Sequence, residues 1–183
     1  MKLIRTIRLD PSDTFVFEHA AEPGEWAVSG AFAFWNTDAA KLEGKARSAF
    51  RGAFLGVETL GWSTLVQIVQ ASDADRAAAV ERLAQQLLTH FGAPDISAAR
   101  AAAEDELAFA ASLCGHPADT LIAVHRSFED GEVREAFRTL HPRGGAKPMR
   151  AFSFLEVEGE EEPADEVDLV ALAASKSAER ERQ

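Results

Sequence analysis

The chain has 183 residues, of which 46% are hydrophobic and 27% charged, an ordinary composition for a globular protein. This length fits one domain with a proper core and some additional chain. No apolar run reaches the roughly 18 to 20 residues that a membrane-spanning helix needs, and the N-terminus lacks the continuous apolar stretch of a signal peptide. One cysteine excludes an internal disulfide framework and a cysteine-rich zinc module. We therefore expect a cytoplasmic protein that does not enter membranes.

The formal net charge of −11 is unevenly distributed along the chain. Residues 156–168 hold eight acidic side chains and no basic one, which leaves −3 for all the rest. This overall acidity argues against nucleic-acid binding. The stretch directly before it, residues 138–150, carries four cationic side chains and no acid: Arg138, Arg143, Lys147 and Arg150.

Three strands are predicted in the first 35 residues. Residues 2–9 and 14–21 alternate apolar and polar side chains, which is the period of a β-strand. Residues 24–35 follow a Pro-Gly turn signal and alternate large with small residues. The small-residue face of this third strand would let a helix pack closely.

The next stretch predicts a short helix and then two more strands. Asn36 or Asp38 is expected to cap the helix, whose apolar positions recur at spacings of four: Leu42, Ala46 and Phe50. Residues 54–71 indicate two strands around Gly61. The second of these is strongly apolar, so we expect it in the interior of a sheet.

Two amphipathic helices are predicted in the middle of the chain. Residues 72–92 begin with acids and end at a glycine, with apolar residues at helical spacing. Residues 95–114 carry a narrow, alanine-rich stripe that ends at Cys114. Gly115 then stands where a left-handed C-cap belongs.

Residues 120–142 predict a β-hairpin around Asp130-Gly131, a strong two-residue turn signal. Pairing outward from the turn gives sensible cross-strand neighbours: Val124 with Phe137, Arg126 with Glu135, and Phe128 with Val133. The same register places two like charges beside the turn, Glu129 and Glu132. Residues 132–140 also fit a helix, which is the alternative. Residues 149–158 then indicate a last strand.

Strands separated from consecutive helices indicate the α+β class rather than a parallel sheet. We predict a mainly antiparallel sheet with two central helices packed on one face, followed by a charged C-terminal tail. The predicted domain comprises residues 1–157. Residues 158–183 would form an acidic linker and a short amphipathic segment.

The cysteine and the histidines form no recognisable catalytic or metal motif. Cys114, His116, His125 and His141 are all competent zinc ligands, but their spacing matches no common zinc motif. Cys114 lies at a helix C-terminus, where the helix dipole disfavours a thiolate. We therefore interpret Cys114 as a small hydrophobic residue, predict no cofactor or metal, and favour a protein that is not an enzyme.

One face of the predicted hairpin brings together His125, Ser127, Arg134 and Arg138. Arginine forks match phosphate or carboxylate oxygens, so this face is a candidate anion site; the alternative is an ordinary solvated sheet face. The glycine-rich loop between Arg143 and Lys147 is a second candidate, against the alternative of a simple connector. The consecutive acids at residues 104–106 point in different directions on a helix, and we interpret them as solvated.

The end of the chain holds a candidate partner-binding segment. A short helix within residues 168–183, capped by Asp168, would be marginal alone, and it would gain order by docking. Its apolar face consists of Leu169, Leu172 and Ala173. The alternatives are a frayed terminus or a helix packed on its own domain.

Three stretches of the chain carry a resemblance: AAEPGEWAVSGAFAFW, GWSTLVQIV and VHRSFEDGEVREAF. They resemble a family of small conserved bacterial proteins with no established activity, over most of residues 1–143. This resemblance implies a bacterial setting and transfers no catalytic residues.

Two hypotheses of function follow. The first is a non-catalytic cytoplasmic adaptor that binds a protein partner through an apolar sheet face and the C-terminal segment. The second is a small-molecule or anion-binding domain, conceivably an enzyme, that uses the His/Arg face and the basic loop. Edge strands and twelve phenylalanines also make self-association plausible.

Overall fold

A computed structural model describes residues 1–129, 131–142 and 155–157 of the chain. The strands within these residues are β1 Lys2–Ile7, β2 Ala27–Val28, β3 Phe54–Gly56, β4 Trp62–Ser63, β5 Leu65–Gln70, β6 Leu121–Glu129, β7 Glu132–Pro142 and β8 Leu155–Val157. The α-helices are α1 Ser12–Val16, α2 Gly44–Gly52, α3 Asp73–His90 and α4 Ile96–Ser112, and short 3₁₀ helices cover Ala31–Phe34 and Ala39–Lys41.

The strands form two antiparallel sheets, which confirms the α+β class. The larger sheet has the strand order β1-β5-β6-β7-β8, and the smaller has the order β2-β3-β4. The two are joined at the edge of β1, where the Thr6 amide donates to the Glu25 carbonyl at 2.9 Å. The predicted interior position of the apolar strand is confirmed, because β5 lies between β1 and β6.

The two faces of the larger sheet differ in burial. We call one the inner face; it carries the buried side chains of Ile4, Val66, Ile68, Ile122 and Val124. The Phe137 ring lies opposite Val124 on this face and contacts the rings of Phe109 on α4 and Phe54 on β3. The opposite side, which we call the outer face, carries half-buried apolar side chains: Ile7, Leu65, Val69, Leu121 and Ala123.

The two predicted central helices are present and pack together. α3 begins with a capping box, in which the Ser72 side chain accepts from the Asp75 amide and the Asp75 side chain accepts from the Ser72 amide. α4 is capped by Asp95, whose side chain accepts from the Ala98 amide at 2.8 Å. The alanine-rich stripe of α4 is buried, and α4 contacts both α3 and β1.

Strands β6 and β7 form the predicted hairpin, so the helix alternative for residues 132–140 is wrong. The register is the predicted one, with Arg126 opposite Glu135. Gly131 has φ +86°, a conformation that glycine adopts without strain. The like charges Glu129 and Glu132 are paired beside the turn as predicted. The repulsion is reduced because the Glu129 carboxylate lies 3.4 Å from the Arg134 Nε atom.

The predicted strand over residues 14–21 is wrong. Residues 12–16 form α1, Phe15 is 73% exposed, and Phe17 is buried. The Asp13 carboxylate holds this turn in place by accepting from the Thr64 amide and hydroxyl. Phe15 and Phe17, which a strand would place on one face, therefore differ in burial.

The predicted strand over residues 24–35 is mostly wrong as well. Only Ala27–Val28 pair as a strand, although the predicted turn at Gly24 is present, with φ +88°. Gly30 has φ +80°, and a Cβ added there would lie 2.6 Å from the Leu55 Cβ atom. This close approach ends the strand, and a 3₁₀ helix follows.

Three smaller predictions also need correction. Asp38 does cap a helix, but it is the 3₁₀ helix Ala39–Lys41, and α2 begins later, at Gly44. Gly115 is not a left-handed cap, because the positive-φ residue after α4 is Asp119, at φ 69°. Two strands do flank Gly61, but the predicted second strand is divided into β4 and β5. Of the predicted last strand, the structure describes Leu155–Val157.

Candidate functional site

The predicted face of His125, Arg134 and Arg138 is present on the outer side of the hairpin, where it also carries Glu129 and Glu132. The register places Ser127 opposite Arg134 and Ala123 opposite Arg138, while His125 lies between them on β6. His125 and Arg134 are exposed and Arg138 is half-buried. These side chains therefore share one face, whose function stays a prediction.

A surface cavity of about 400 Å³ lies at this face. Its lining includes Ala123, Val124, His125 and Arg138. This volume is within the range of small-molecule pockets. An imidazole and a guanidinium beside apolar side chains suit a ligand that has both an anionic group and an apolar part.

The apolar part of the outer face adjoins the cavity. Leu65 on β5 lies directly opposite Ala123, and Ile7 on β1 lies opposite Leu65. The patch therefore runs across three strands away from the cationic side chains. We call the whole surface the outer patch: an apolar floor bordered by His125, Arg134 and Arg138, of which Arg134 lies 3.4 Å from the Glu129 carboxylate.

The inner face of the same hairpin holds a fully buried arginine that sequence reasoning did not single out. All five N–H donors of Arg126 are used. Its Nε donates to the Glu135 carboxylate at 2.6 Å, and Nη1 donates to the carbonyls of Phe50 and Ala53. Its Nη2 donates to the carbonyl and the hydroxyl of Ser29. Burial lowers the pKa of this guanidinium, and the neighbouring Glu135 raises it.

A second carboxyl group belongs to this buried cluster. Glu106 on α4 was predicted to be solvated, but it is half-buried, and this prediction is corrected here. Burial, and then the nearby Glu135 carboxylate, raise the pKa of Glu106 to about 7, while Arg126 opposes the rise. Arg126 binds the hairpin to α2, and Glu106 faces Arg126 and Glu135 from α4. Because every donor of Arg126 meets a protein oxygen, we interpret this guanidinium as structural.

A signal for this cluster was available in the sequence. Arg126 lies between Val124 and Phe128 on the face of the hairpin that the sequence predicts to be buried, and it is opposite Glu135. A charged residue at a core-facing position is expected to be paired. What the sequence did not show is that Ser29, Phe50 and Ala53 come within reach of it.

Among the described side chains, Cys114, His116 and His125 form no common metal site. Cys114 is buried, its Sγ donates to the Ala110 carbonyl, and burial raises the pKa of this thiol. His116 lies at the end of α4, where its carbonyl accepts from Lys2, whereas His125 lies on the outer face. Over the described ranges, no group of three or more acidic, histidine or cysteine residues is placed to hold a metal ion.

Five of the predicted site residues lie outside the described residues: Arg143, Lys147, Leu169, Leu172 and Ala173. For the helices that the structure does describe, none combines the length and apolarity needed to cross a membrane.

The chain belongs to DUF6505, a family of unknown function whose model matches residues 1–154. This confirms the resemblance to a family without an established activity, which leaves the acidic tail aside, while the bacterial setting stays a prediction. No curated protein and no solved structure matches the chain.

Proposed function

We propose that this protein is a non-catalytic accessory protein that binds a partner protein through the outer patch. The observation that carries the proposal is the combination, on one sheet face, of an apolar floor and a border that includes Arg134 and Arg138. Apolar area supplies affinity, while the border of His125, Arg134 and Arg138 selects acidic partners and their orientation. The favoured partner is therefore a protein segment that combines acidic and apolar residues.

The buried cluster supports a binding role over catalysis. Its guanidinium is saturated by protein oxygens, and its carboxyl groups lie on the inner face, away from the outer patch. The composition, with one cysteine and abundant alanine and arginine, is consistent with the bacterial cytoplasm as the setting.

A matched pair of charge reversals tests the proposal. The test variant is Arg134→Glu with Arg138→Glu, and the control is Arg47→Glu with Arg51→Glu on exposed positions of α2. The wild type and both variants are used for quantitative affinity purification from the native host. The two variants change the net charge equally, so a difference between them depends on the position of the charges. We expect the test variant alone to lose the partner several-fold. Equal recovery of the same partner proteins by the wild type, the test variant and the control variant would contradict the proposal.

The cavity supports a second candidate function, the binding of a small anionic molecule. His125 and Arg138 line a volume that fits such a ligand. Thermal unfolding in the presence of inorganic phosphate, citrate or decanoate tests it. We expect stabilisation by at least one of the three, and its loss in His125→Ala. Unchanged unfolding temperatures with all three probes would leave partner binding as the function of the patch.

A further inference from the structure

Arg5 is an arginine of the outer face whose donors are not used by the protein. The register places it on β1 directly opposite Gln67, and Ile7 follows it two positions later on the same face. The Nε atom of Arg5 is buried and meets no acceptor. Among the described residues, no hydrogen bond or ion pair joins its guanidinium to another group. Buried donors without an acceptor are rare in folded proteins, so Arg5 is a candidate for binding an external group.

The guanidinium of Arg5 is nevertheless held in a fixed position. Trp26 pairs with Arg5 across the edge of β1, and the guanidinium carbon lies 3.9 Å from the centre of the Trp26 ring. Stacking on an aromatic ring attracts the cation and leaves its in-plane N–H donors unused. The side chain is therefore positioned in advance for a planar acceptor such as a carboxylate, which two parallel N–H bonds of a guanidinium match.

Two other arginines of the sheet already have protein partners. Arg126 donates to protein oxygens on the inner face, and Arg134 lies 3.4 Å from the Glu129 carboxylate. An external anion would have to displace these partners. At Arg5 no described protein acceptor has to be displaced, so this guanidinium is the better anion site of the three.

The acidic side chains around Arg5 are engaged with other groups. Asp119 accepts from the side-chain amide of Gln67 at 3.0 Å. Asp75 accepts from the amide and the hydroxyl of Ser72 in the capping box, and these hydrogen bonds lower the pKa of Asp75 more than Arg5 does. Over the described ranges neither carboxylate forms an ion pair with Arg5. The charge of Arg5 therefore remains available to a ligand.

The neighbours of Arg5 on the outer face are apolar. Ile7 lies beside it on β1, Leu65 lies opposite Ile7, and Leu121 lies opposite Gln67 on the next strand. Ile7, Leu65 and Leu121 are all half-buried. A ligand of this site would therefore place an anionic group at Arg5 and an apolar group on the floor of the patch.

We propose that Arg5, stacked on Trp26, is a carboxylate-binding site of the outer patch, and that its ligand is an acidic side chain flanked by apolar residues in the partner segment. The inference rests on the proposed function, since it names a residue through which the same face recognises its acidic partner. It extends the patch from the hairpin to β1. Apolar contacts with Ile7 and Leu65 supply affinity, while the guanidinium fixes the orientation of the segment.

Titration of the full chain with phenylacetate and with phenylacetamide, its uncharged counterpart, tests this site. The Nε–H signal of Arg5 is followed by NMR during each titration. We expect phenylacetate to shift this signal together with the amide signals of Ile7 and Gln67, and phenylacetamide to leave the Arg5 signal in place. An unmoved Arg5 signal with phenylacetate, or equal shifts with the two compounds, overturns the proposal. A response to inorganic phosphate as large as that to phenylacetate contradicts the proposed ligand class.

A matched pair of charge-conserving substitutions identifies the binding group. Arg5→Lys keeps the charge but loses the planar fork, and the control Arg100→Lys changes an arginine that is already paired with Glu81. We expect Arg5→Lys to weaken phenylacetate binding about tenfold, which corresponds to one charge-assisted hydrogen bond, and Arg100→Lys to bind like the wild type. Equal affinities of folded Arg5→Lys and the wild type contradict the proposal. If Arg5→Lys does not fold, the wild-type titration alone decides.

The outcomes separate this inference from the proposed function. If phenylacetate does not engage Arg5 but the reversal of Arg134 and Arg138 still loses the partner, the proposed function stands and the Arg5 site is wrong. If phenylacetate binds at Arg5 but partner recovery is the same in all variants, the carboxylate site stands and the partner proposal fails.

Discussion

Arg126 shows how one side chain can organise a hairpin, a helix end and a loop. Its guanidinium is fully buried and donates to oxygens on β7, at the end of α2 and after β2. Burying a charge is costly unless its partners are all present. The residue therefore stabilises the fold only while these groups stay assembled around it.

Arg126→Met should destabilise the protein by about 3 kcal/mol or more, because it leaves buried carbonyls and the Glu135 carboxylate without their donor. Arg134→Met on the adjacent strand is the matched control. Its side chain is 60% exposed, so a change within about 0.5 kcal/mol is expected. Urea unfolding measures the free energy of unfolding of both variants, and an equal decrease in the two would refute the structural role of Arg126.

Glu106 predicts a pH dependence of stability. Its pKa is raised from 4.5 to about 7 in the folded protein, so the folded state binds the proton more tightly than the unfolded state. The stability that Glu106 contributes is present below its unfolded pKa of 4.5. It falls as the pH rises from 4.5 to about 7, and it is lost above about 7. The total effect is at most roughly 3 kcal/mol.

Glu106→Gln removes this titration. Relative to the wild type, the variant should gain stability as pH rises from about 5 to about 8, by up to roughly 3 kcal/mol. Glu104→Gln, at an exposed position of the same helix, is the control and should show no such trend. Chemical unfolding across this pH range checks the prediction; parallel curves for wild type and Glu106→Gln would reject the raised pKa.

At the scale of elements, the tip of the β6–β7 hairpin projects beyond the strands that pair with its base. β5 pairs with only its first residues, Leu121 to Ala123, and the hairpin extends beyond that contact. Near its tip, Phe128 and Val133 are paired and remain 46% and 39% exposed. The local turn therefore has a large share in setting the register here.

Gly131→Ala should destabilise the hairpin by about 1 kcal/mol, because φ +86° is unfavourable for residues with a Cβ atom. Gly131→Asn should be milder, since asparagine tolerates this region. Gly115→Ala is the control: Gly115 is exposed, does not have a positive φ, and an added Cβ meets no atom within 4 Å. Thermal unfolding compares them, and equal effects at both glycines would contradict this account.

At the scale of the whole molecule, the smaller sheet is held to the N-terminal segment by backbone contacts. The Ala21 amide donates to the Trp62 carbonyl at 2.9 Å, and the Trp62 amide donates to the His19 carbonyl at 2.8 Å. A Cβ added at Gly61 would lie 2.5 Å from the Ala21 nitrogen and 2.6 Å from the Ala20 carbonyl. Only glycine fits between these two stretches of backbone.

Gly61→Ala should therefore cost about 3 kcal/mol, at the upper end of overpacking penalties, because backbone cannot move aside as a flexible side chain does. Gly52→Ala is the control, since its added Cβ would be 3.7 Å from the Val124 carbonyl, an ordinary contact. Differential scanning calorimetry measures both variants. A Gly61→Ala protein as stable as Gly52→Ala would mean that the segments separate easily.

Local sequence determined the elements whose signals do not depend on the rest of the molecule. The two helices α3 and α4 have caps and helical periodicity of their own, and the hairpin has a turn that sets the register outward from Gly131. The same register predicted that His125, Arg134 and Arg138 share a face. Propensity, capping and turn chemistry act over a few residues, so they can be recognised in the sequence.

Tertiary contacts determined the conformation of the segments whose local sequence signals are weak. Residues 14–21 and 24–35 alternate like strands, yet the contact of Asp13 with Thr64 and the close approach of Gly30 to Leu55 give them other conformations. The burial of Arg126 and Glu106 likewise depends on residues far apart in the chain. The physical reason is that burial and pairing depend on what packs against a side chain, and a single stretch of sequence does not contain its distant neighbours.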